Sequence, residues 1–229
     1  MILLVVIGLR NGATNRMSDL IVLILAAGEG KRWGQAANKV LVDIYSEPLI
    51  VRTHRMAQKI FGVTPITITK HKDVAEAVGF GNYFLVGDTR WTVETLFGCL
   101  EIWGPAQENR VIVLLGDTYY TTQTLNLIKH TTLPLCYFGR LLEIYAMQFY
   151  DHMLAYDMIV KALRHAQENQ DVNYRPGRLW HTYYALHGYP MDTHTIPPDG
   201  DGTFIRLFES DITMDIDYPM DYRELLDKI

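Results

Sequence analysis

The sequence predicts an α/β protein of three layers, with helices on both faces of a mainly parallel, mixed sheet. Three observations carry that expectation. The runs Leu20-Ile21-Val22-Leu23-Ile24-Leu25 and Val111-Ile112-Val113-Leu114-Leu115 are continuously apolar, as strands buried on both faces must be. Between such runs lie segments whose apolar residues recur every three or four positions, as in one-sided helices. No repeat and no flexible linker interrupts the 229 residues, so residues 1–229 read as a single domain.

The elements follow in order. Residues 1–9 read as a buried strand and residues 10–16 as a polar turn; Met17 could serve as a start, which makes 1–16 an N-terminal extension. Residues 47–61 place Leu49, Ile50, Thr53, Met56, Ala57 and Ile60 on one helical face. Residues 64–69 are a strand, Lys72–Val78 a short helix and 83–86 another strand. A helix over 91–103 carries Val93, Leu96, Phe97 and Leu100, and a further helix covers 121–130. The second half predicts strands at 135–138 and Glu143–Phe149, then a long helix over 151–170 behind Asp151, a good N-cap residue. Aromatic-rich residues 180–187 and 203–208 read as strands joined by a loop at 190–202, and residues 222–229 as a terminal helix.

Composition excludes several functions. Lys+Arg 21 against Asp+Glu 26 gives a net charge of −5 and a pI near 5.9, without the basic surplus of a nucleic-acid binder. Hydrophobic residues at 48% and charged residues at 21% are globular values, not those of a disordered chain. Cys99 and Cys136 form no CxxC pair and no zinc spacing, which points to a reducing compartment. The apolar runs 2–9 and 20–27 fall well short of the ~20 residues that cross a bilayer, and no basic residue precedes the first, as a secretory signal requires. The expectation is a cytoplasmic protein without membrane or nucleic-acid partners.

The stretch Leu25-Ala26-Ala27-Gly28-Glu29-Gly30-Lys31-Arg32-Trp33-Gly34, followed by Asn38-Lys39, is the most informative. A buried strand ends in small residues and glycines, so the backbone can turn and expose its N–H groups where open α/β sheets bind ligands. Lys31, Arg32 and Lys39 place cations around it, which suits a polyphosphate. Gly28, Gly30 and Gly34 are spaced one residue too widely for the dinucleotide fingerprint, and the G-x-x-x-x-G-K-[ST] phosphate loop is absent.

This stretch resembles the signature of the sugar-phosphate nucleotidylyltransferases and their cytidylyl- and molybdenum-cofactor relatives: Leu-Ala-Ala-Gly-x-Gly-x-Arg, then Pro-Lys. Residues 25–32 match at every fixed position, Asn38-Lys39 stands for Pro-Lys, and Ser46-Glu47-Pro48-Leu49-Ile50 is similar to their Gly-x-Pro-Leu-Ile. The resemblance implies a Rossmann-like nucleotide-diphospho-sugar transferase fold of the GT-A type, with 17–130 as the nucleotide-binding half and 131–229 as the acceptor-binding half. It also implies that Leu25, Ala26, Ala27, Gly28, Glu29 and Gly30 hold base and phosphates. Arg32 would grip the β- and γ-phosphates, and Lys39 would face the α-phosphate. Gly87-Asp88-Thr89-Arg90-Trp91-Thr92-Val93 resembles a cytidylyltransferase segment in which the arginine and hydroxyl face the nucleotide, which makes Arg90 and Thr92 further candidates.

A nucleoside triphosphate brings magnesium, which takes oxygen ligands and one or two carboxylates. Asp117 follows a strand where the relatives keep a metal-binding aspartate. Asp215-Ile216-Asp217-Tyr218-Pro219-Met220-Asp221 is similar to their closing Asp-x-Pro-Glu-Asp-Leu, which maps the second metal ligand onto Asp217, a helix cap onto Asp221, and leaves Asp215 a weaker candidate. The implied reaction moves an NMP group from a nucleoside triphosphate to a phosphorylated small molecule, a sugar phosphate or alcohol phosphate, and releases pyrophosphate. Trp180, Tyr183, Tyr184 and Tyr189 are candidates for an acceptor wall or for core, and Arg140, Arg178 and Arg206 for the acceptor phosphate. The alternatives are a glycosyltransferase of the same fold that consumes an NDP-sugar and a catalytically idle nucleotide-binding protein. A homodimer is one assembly open to the chain.

Overall fold

A computed structural model describes residues 20–30, 33, 38–140, 143–170, 177–191 and 202–229. The strand expected at 1–9, Lys31, Arg32 and most of the 190–202 loop lie outside these residues.

The chain begins its described path with strand β1 (Leu20–Leu25), then a short 3-10 helix (Lys39–Leu41) and a hairpin of β2 (Asp43–Ile44) and β3 (Glu47–Pro48). Helix α1 (Leu49–Phe61), β4 (Ile66–Thr69), α2 (Lys72–Val78), β5 (Tyr83–Leu85), α3 (Thr92–Phe97) and α4 (Leu100–Trp103) come next. Then follow β6 (Arg110–Leu115), β7 (Thr118–Tyr119), α5 (Thr122–His130), β8 (Leu135–Arg140), β9 (Glu143–Phe149) and α6 (His152–Glu168). Helix α7 (Leu179–His187), β10 (Phe204–Arg206), β11 (Met214–Asp215) and α8 (Pro219–Lys228) complete the series.

Seven strands form one sheet in the order β10-β8-β9-β6-β1-β4-β5. Every strand in it runs the same way except β9, which is antiparallel to both neighbours. The period-two alternation of a strand explains the three layers. In β1, Leu23 and Leu25 join one core with residues of α3, α6 and α7, while Val22 and Ile24 join another with residues of α1, α2 and α5. Both cores are closed to solvent at the strand centres: Val22, Leu23, Ile24 and Val111 through Leu114 are fully buried.

Local chemistry sets the element ends. The Asp151 side chain accepts from Leu154 N at 2.9 Å and caps α6, and Thr121 accepts from Thr124 N at 3.1 Å and caps α5. Helix α1 starts at Leu49, later than expected, because Glu47-Pro48 pairs with Asp43-Ile44 across a two-residue turn at Tyr45 and Ser46. Both turn residues have positive φ, 52° and 67°, the geometry that matches the twist of a hairpin.

Two expectations are corrected. Residues 91–103 form two helices, because the chain breaks at Gly98-Cys99 between α3 and α4. Residues 180–187, expected as a strand, form helix α7. Nearly every side of that helix is covered, from Leu179 through Ala185, so it has no polar face to reveal its period, and its aromatic content imitates a strand. Among the described residues no helix is long and apolar enough to cross a membrane.

Candidate functional site

Parallel strands bring β1, β4 and β6 to one end of the sheet in register, with Leu25 opposite both Leu115 and Ile68. The chain leaves β1 as Ala26-Ala27, still buried, and emerges at the exposed Gly28 and Glu29. Ala26 N donates to Ile68 O at 2.8 Å, and Ala26 O accepts from Thr69 Oγ1 at 2.9 Å. Gly30 turns with φ 57°, a conformation natural to glycine. Beyond β4, His71 Nε2 meets Gly28 O at 3.0 Å, and Lys70 Nζ reaches Asp88 and the Thr89 carbonyl, each at 2.8 Å, and Glu29 at 3.4 Å. Thus the end of β4 ties the glycine loop to the segment before α3.

Next to this loop, β6 is followed by Gly116-Asp117. Only glycine fits at 116: a Cβ there would lie 2.9 Å from both the Ala26 Cβ and the Leu25 carbonyl oxygen. Immediately afterwards β7 pairs antiparallel with β11, with Asp215 opposite Thr118 and Ile216 N donating to Asp117 O at 2.9 Å. Alternation along the β11 segment then puts Asp215 and Asp217 on one side, against Asp117. One carboxylate oxygen from each of the three lies within 4.8 Å of the others. Lys39 enters from its 3-10 turn, where the Asn38 side chain accepts from Val40 N at 3.4 Å. Its Nζ stands 2.5 Å from Asp117 Oδ2 and 2.8 Å from Asp217 Oδ1. Arg178 Nη2 lies 3.9 Å from Asp217 Oδ2. Asp221 Oδ2 accepts the amides of Asp217 and Tyr218, at 2.9 and 2.7 Å, and so fixes the start of α8 as expected.

The electrostatics are those of a cation site. Burial on its own lowers the pKa of the Lys39 ammonium, but Asp117, Asp215 and Asp217 overcome this and hold it above the usual lysine range. Burial, reinforced by Asp117, pushes the Asp215 carboxyl well above the usual range, with Lys39 opposing. Burial and then Asp217 raise the carboxyl of Glu143 at the start of β9. Three carboxylates face the Lys39 ammonium and, at longer range, the Arg178 guanidinium, an excess of one negative charge when all are ionised. Asp215 Oδ1 is buried and has no hydrogen-bond partner among the described residues. An all-oxygen donor set with surplus negative charge and an orphaned carboxylate oxygen fits a hard divalent ion such as magnesium.

Of the residues singled out in the sequence, Lys39, Asp117 and Asp217 therefore meet, beside the loop of residues 25–30. Arg32 lies outside the described residues. Thr92 is the first residue of α3, and Arg90 is exposed, its Nη1 donating to Gln170 Oε1 at 3.1 Å rather than entering the carboxylate cluster. Trp180, Tyr183 and Tyr184 are buried in the core, with Tyr189 packed against it. Asp215, the weaker candidate in the sequence, joins Asp117 and Asp217, since an Asp-x-Asp in extended backbone aims both carboxylates at one face. Nothing in the sequence marked Asp211, which accepts from Thr121 and Thr124 hydroxyls at 2.7 and 2.9 Å and from Thr213 N at 2.7 Å. That knot fastens the segment before β11 to the start of α5.

Comparison with known proteins bears out the resemblance and the fold. Residues 22–132 match the MobA-like NTP transferase domain. No curated protein is similar enough to count as a sequence relative. Among solved structures, the CTP:phosphocholine cytidylyltransferase of Streptococcus pneumoniae superposes with a TM-score of 0.62 at 16% identity, covering 91% of this chain and 98% of that one. A Bacillus anthracis protein provisionally assigned as a glucose-1-phosphate thymidylyltransferase gives 0.62 at 15% identity, covering 92% and 95%. The nucleoside-diphosphate-sugar pyrophosphorylase of Vibrio cholerae gives 0.59 at 12%, covering 90% and 99%. The chain thus has the α/β fold of these proteins, and its residues 22–132 are similar to a MobA-like NTP transferase domain.

Proposed function

We propose that this protein is a magnesium-dependent nucleotidylyltransferase that joins the NMP group of a nucleoside triphosphate to a small phosphorylated acceptor and releases pyrophosphate. A sugar phosphate or related alcohol phosphate is the acceptor class. One observation carries the reading: Lys39 meets Asp117 at 2.5 Å and Asp217 at 2.8 Å, beside a glycine loop at the end of a parallel strand. Residues 17–130 form the nucleotide half and 131–229 the acceptor half. Both cysteines are buried free thiols, in keeping with a reducing compartment such as the cytoplasm.

A phosphate monoester is largely dianionic at neutral pH, with a second pKa of about 6, so the acceptor oxygen attacks the α-phosphorus without a general base. As that P–O bond forms, the bond from the α-phosphorus to the bridging oxygen breaks, and pyrophosphate leaves with the electron pair. Lys39, with its proton held by three neighbouring carboxylates, is a fixed positive charge rather than an acid or base. It balances the negative charge that develops around the α-phosphate. Arg32 holds the outer phosphates, the backbone of 26–30 holds base and phosphates, and Arg90 and Thr92 complete the nucleotide contacts. Asp117 and Asp217, joined by the orphaned Asp215 oxygen, are the residues that would hold magnesium, which supplies charge neutralisation and polarisation of phosphate oxygens when bound.

The test is a pyrophosphate-release screen with four nucleoside triphosphates against a panel of phosphorylated sugars and alcohols, with and without a chelator. Release with at least one pair, abolished by chelation, is the expected result. Failure with every pair overturns the reading; hydrolysis of an NDP-sugar instead selects the glycosyltransferase alternative. Triphosphate binding indifferent to magnesium selects an idle nucleotide-binding protein.

A further inference from the structure

Three arginines of the second half compete to hold the acceptor, and the structure separates them. Arg140 donates from Nη2 to the Asp211 carbonyl, on the segment before β11, rather than to the carboxylate cluster. Arg206 is half exposed and faces Glu209 at 3.8 Å on the surface. Arg178 differs from both. Its Nη2 lies 3.9 Å from Asp217 Oδ2, on the opposite oxygen from the one that Lys39 holds, and its side chain keeps 31% of its exposure.

The root of Arg178 is rigid. Its backbone N donates to His181 Nδ1 and its carbonyl accepts from His181 N, each at 3.0 Å, at the start of a helix packed in the core. Its head is not locked in the same way: 3.9 Å is too long for a hydrogen bond, so the pairing with Asp217 is electrostatic and the guanidinium fork remains able to donate to a second anion. Among the described residues, Lys39 and Arg178 are the cations paired with Asp117 and Asp217. Position then decides the role. An attacking oxygen must come within about 3–3.5 Å of the α-phosphorus. On the transferase reading above, Lys39 faces the α-phosphate from the first half of the chain, and on the other oxygen of Asp217 the second half presents Arg178, where the acceptor would approach.

We propose that Arg178 is the ligand of the acceptor's phosphate, a phosphate monoester, gripping two of its non-bridging oxygens through the guanidinium fork and leaving the third to attack. No proton has to leave, because the dianion is itself the nucleophile. Assignment to the acceptor rests on the transferase reading above; binding of phosphate by Arg178 does not.

Two measurements test it. In protein labelled with ¹⁵N-arginine, the Arg178 Nε–H signal is identified by its loss in Arg178→Gln, and inorganic phosphate is titrated with magnesium present. A saturable shift of that signal is expected; a signal that stays still overturns the proposal whether or not any transfer activity is found. With a working substrate pair, Arg178→Gln raises the acceptor KM at least tenfold and leaves the triphosphate KM within twofold. Arg178→Lys recovers part of the loss, and Arg206→Gln changes neither constant. A rise in the triphosphate KM instead moves Arg178 to the nucleotide and overturns the acceptor assignment. Absence of transfer with every pair defeats the transferase reading alone, since the phosphate titration still decides the binding.

Discussion

The glycine loop and the carboxylate cluster stand at the same end of the sheet and are built in opposite ways. The loop is a contiguous stretch that works through its backbone, pinned by neighbours at the ends of β4 and β6. The cluster works through side chains, and its parts come from far apart: 178 positions separate Lys39 from Asp217. The first depends on local turn chemistry. The second depends on the register of a two-residue ribbon and on the caps at either side of it. Damage should therefore spread differently from each.

The largest effect is expected where the cluster is cut. Asp117→Asn and Lys39→Ala should each lower kcat for pyrophosphate release by on the order of 10²–10³-fold. Circular dichroism should show the sheet intact, since neither side chain supports the two cores. Near-normal turnover in either variant would remove the cluster from the reaction. The joint between the two regions comes second. In Gly116→Ala the new Cβ meets Ala26 and the Leu25 carbonyl, and overpacking of that kind costs about 1–3 kcal/mol, read as a lower urea midpoint.

Asp211 sharpens the comparison, because it touches neither region yet fastens one of them. Burial alone would raise its pKa, but the hydroxyls of Thr121, Thr213 and Thr124 and the Thr213 amide outweigh that and hold it below the ordinary 3.8. A depressed folded-state value means that its contribution is complete above pH 3.8 and is lost as pH falls through the lower value. Asp211→Asn should flatten that acid limb in thermal melts and lose about 1–3 kcal/mol at neutral pH. It should also weaken magnesium binding more than Arg206→Gln does. An unchanged acid limb would show that the knot carries no linkage. The smallest effect lies in the β2–β3 turn, where Ser46 adopts φ 67°. Ser46→Gly relieves left-handed strain and should gain about 1 kcal/mol in denaturant unfolding, with turnover unchanged.

This contrast also explains what could be read from the amino acids. Strands β1 and β6 are continuous apolar runs, the helix over Lys72–Val78 was expected at its observed bounds, and the glycine loop is legible because its chemistry is adjacent along the chain. Helix α7 was not legible, because burial on almost every side erased its period. Lys39, Asp117 and Asp217 were legible only through the family resemblance; spacing along the chain does not bring them together. Asp215 and Arg178 owe their places to pairing and to the docking of α7, which no local pattern encodes. Tyr45 and Ser46 were hidden for another reason: neither residue advertises positive φ as glycine does.

The ribbon between β7 and β11 has a temporal consequence. During synthesis a ribosome releases Lys39 and the glycine turn long before Asp217, so a nascent chain can carry a formed glycine turn while the carboxylate cluster is still incomplete. Closing so distant a contact is a late event in folding, because chain entropy opposes it until the sheet exists. Fraying of that one short pairing in the mature protein would switch turnover off while the sheet stays whole, so activity is a more sensitive gauge of this terminus than any global melt.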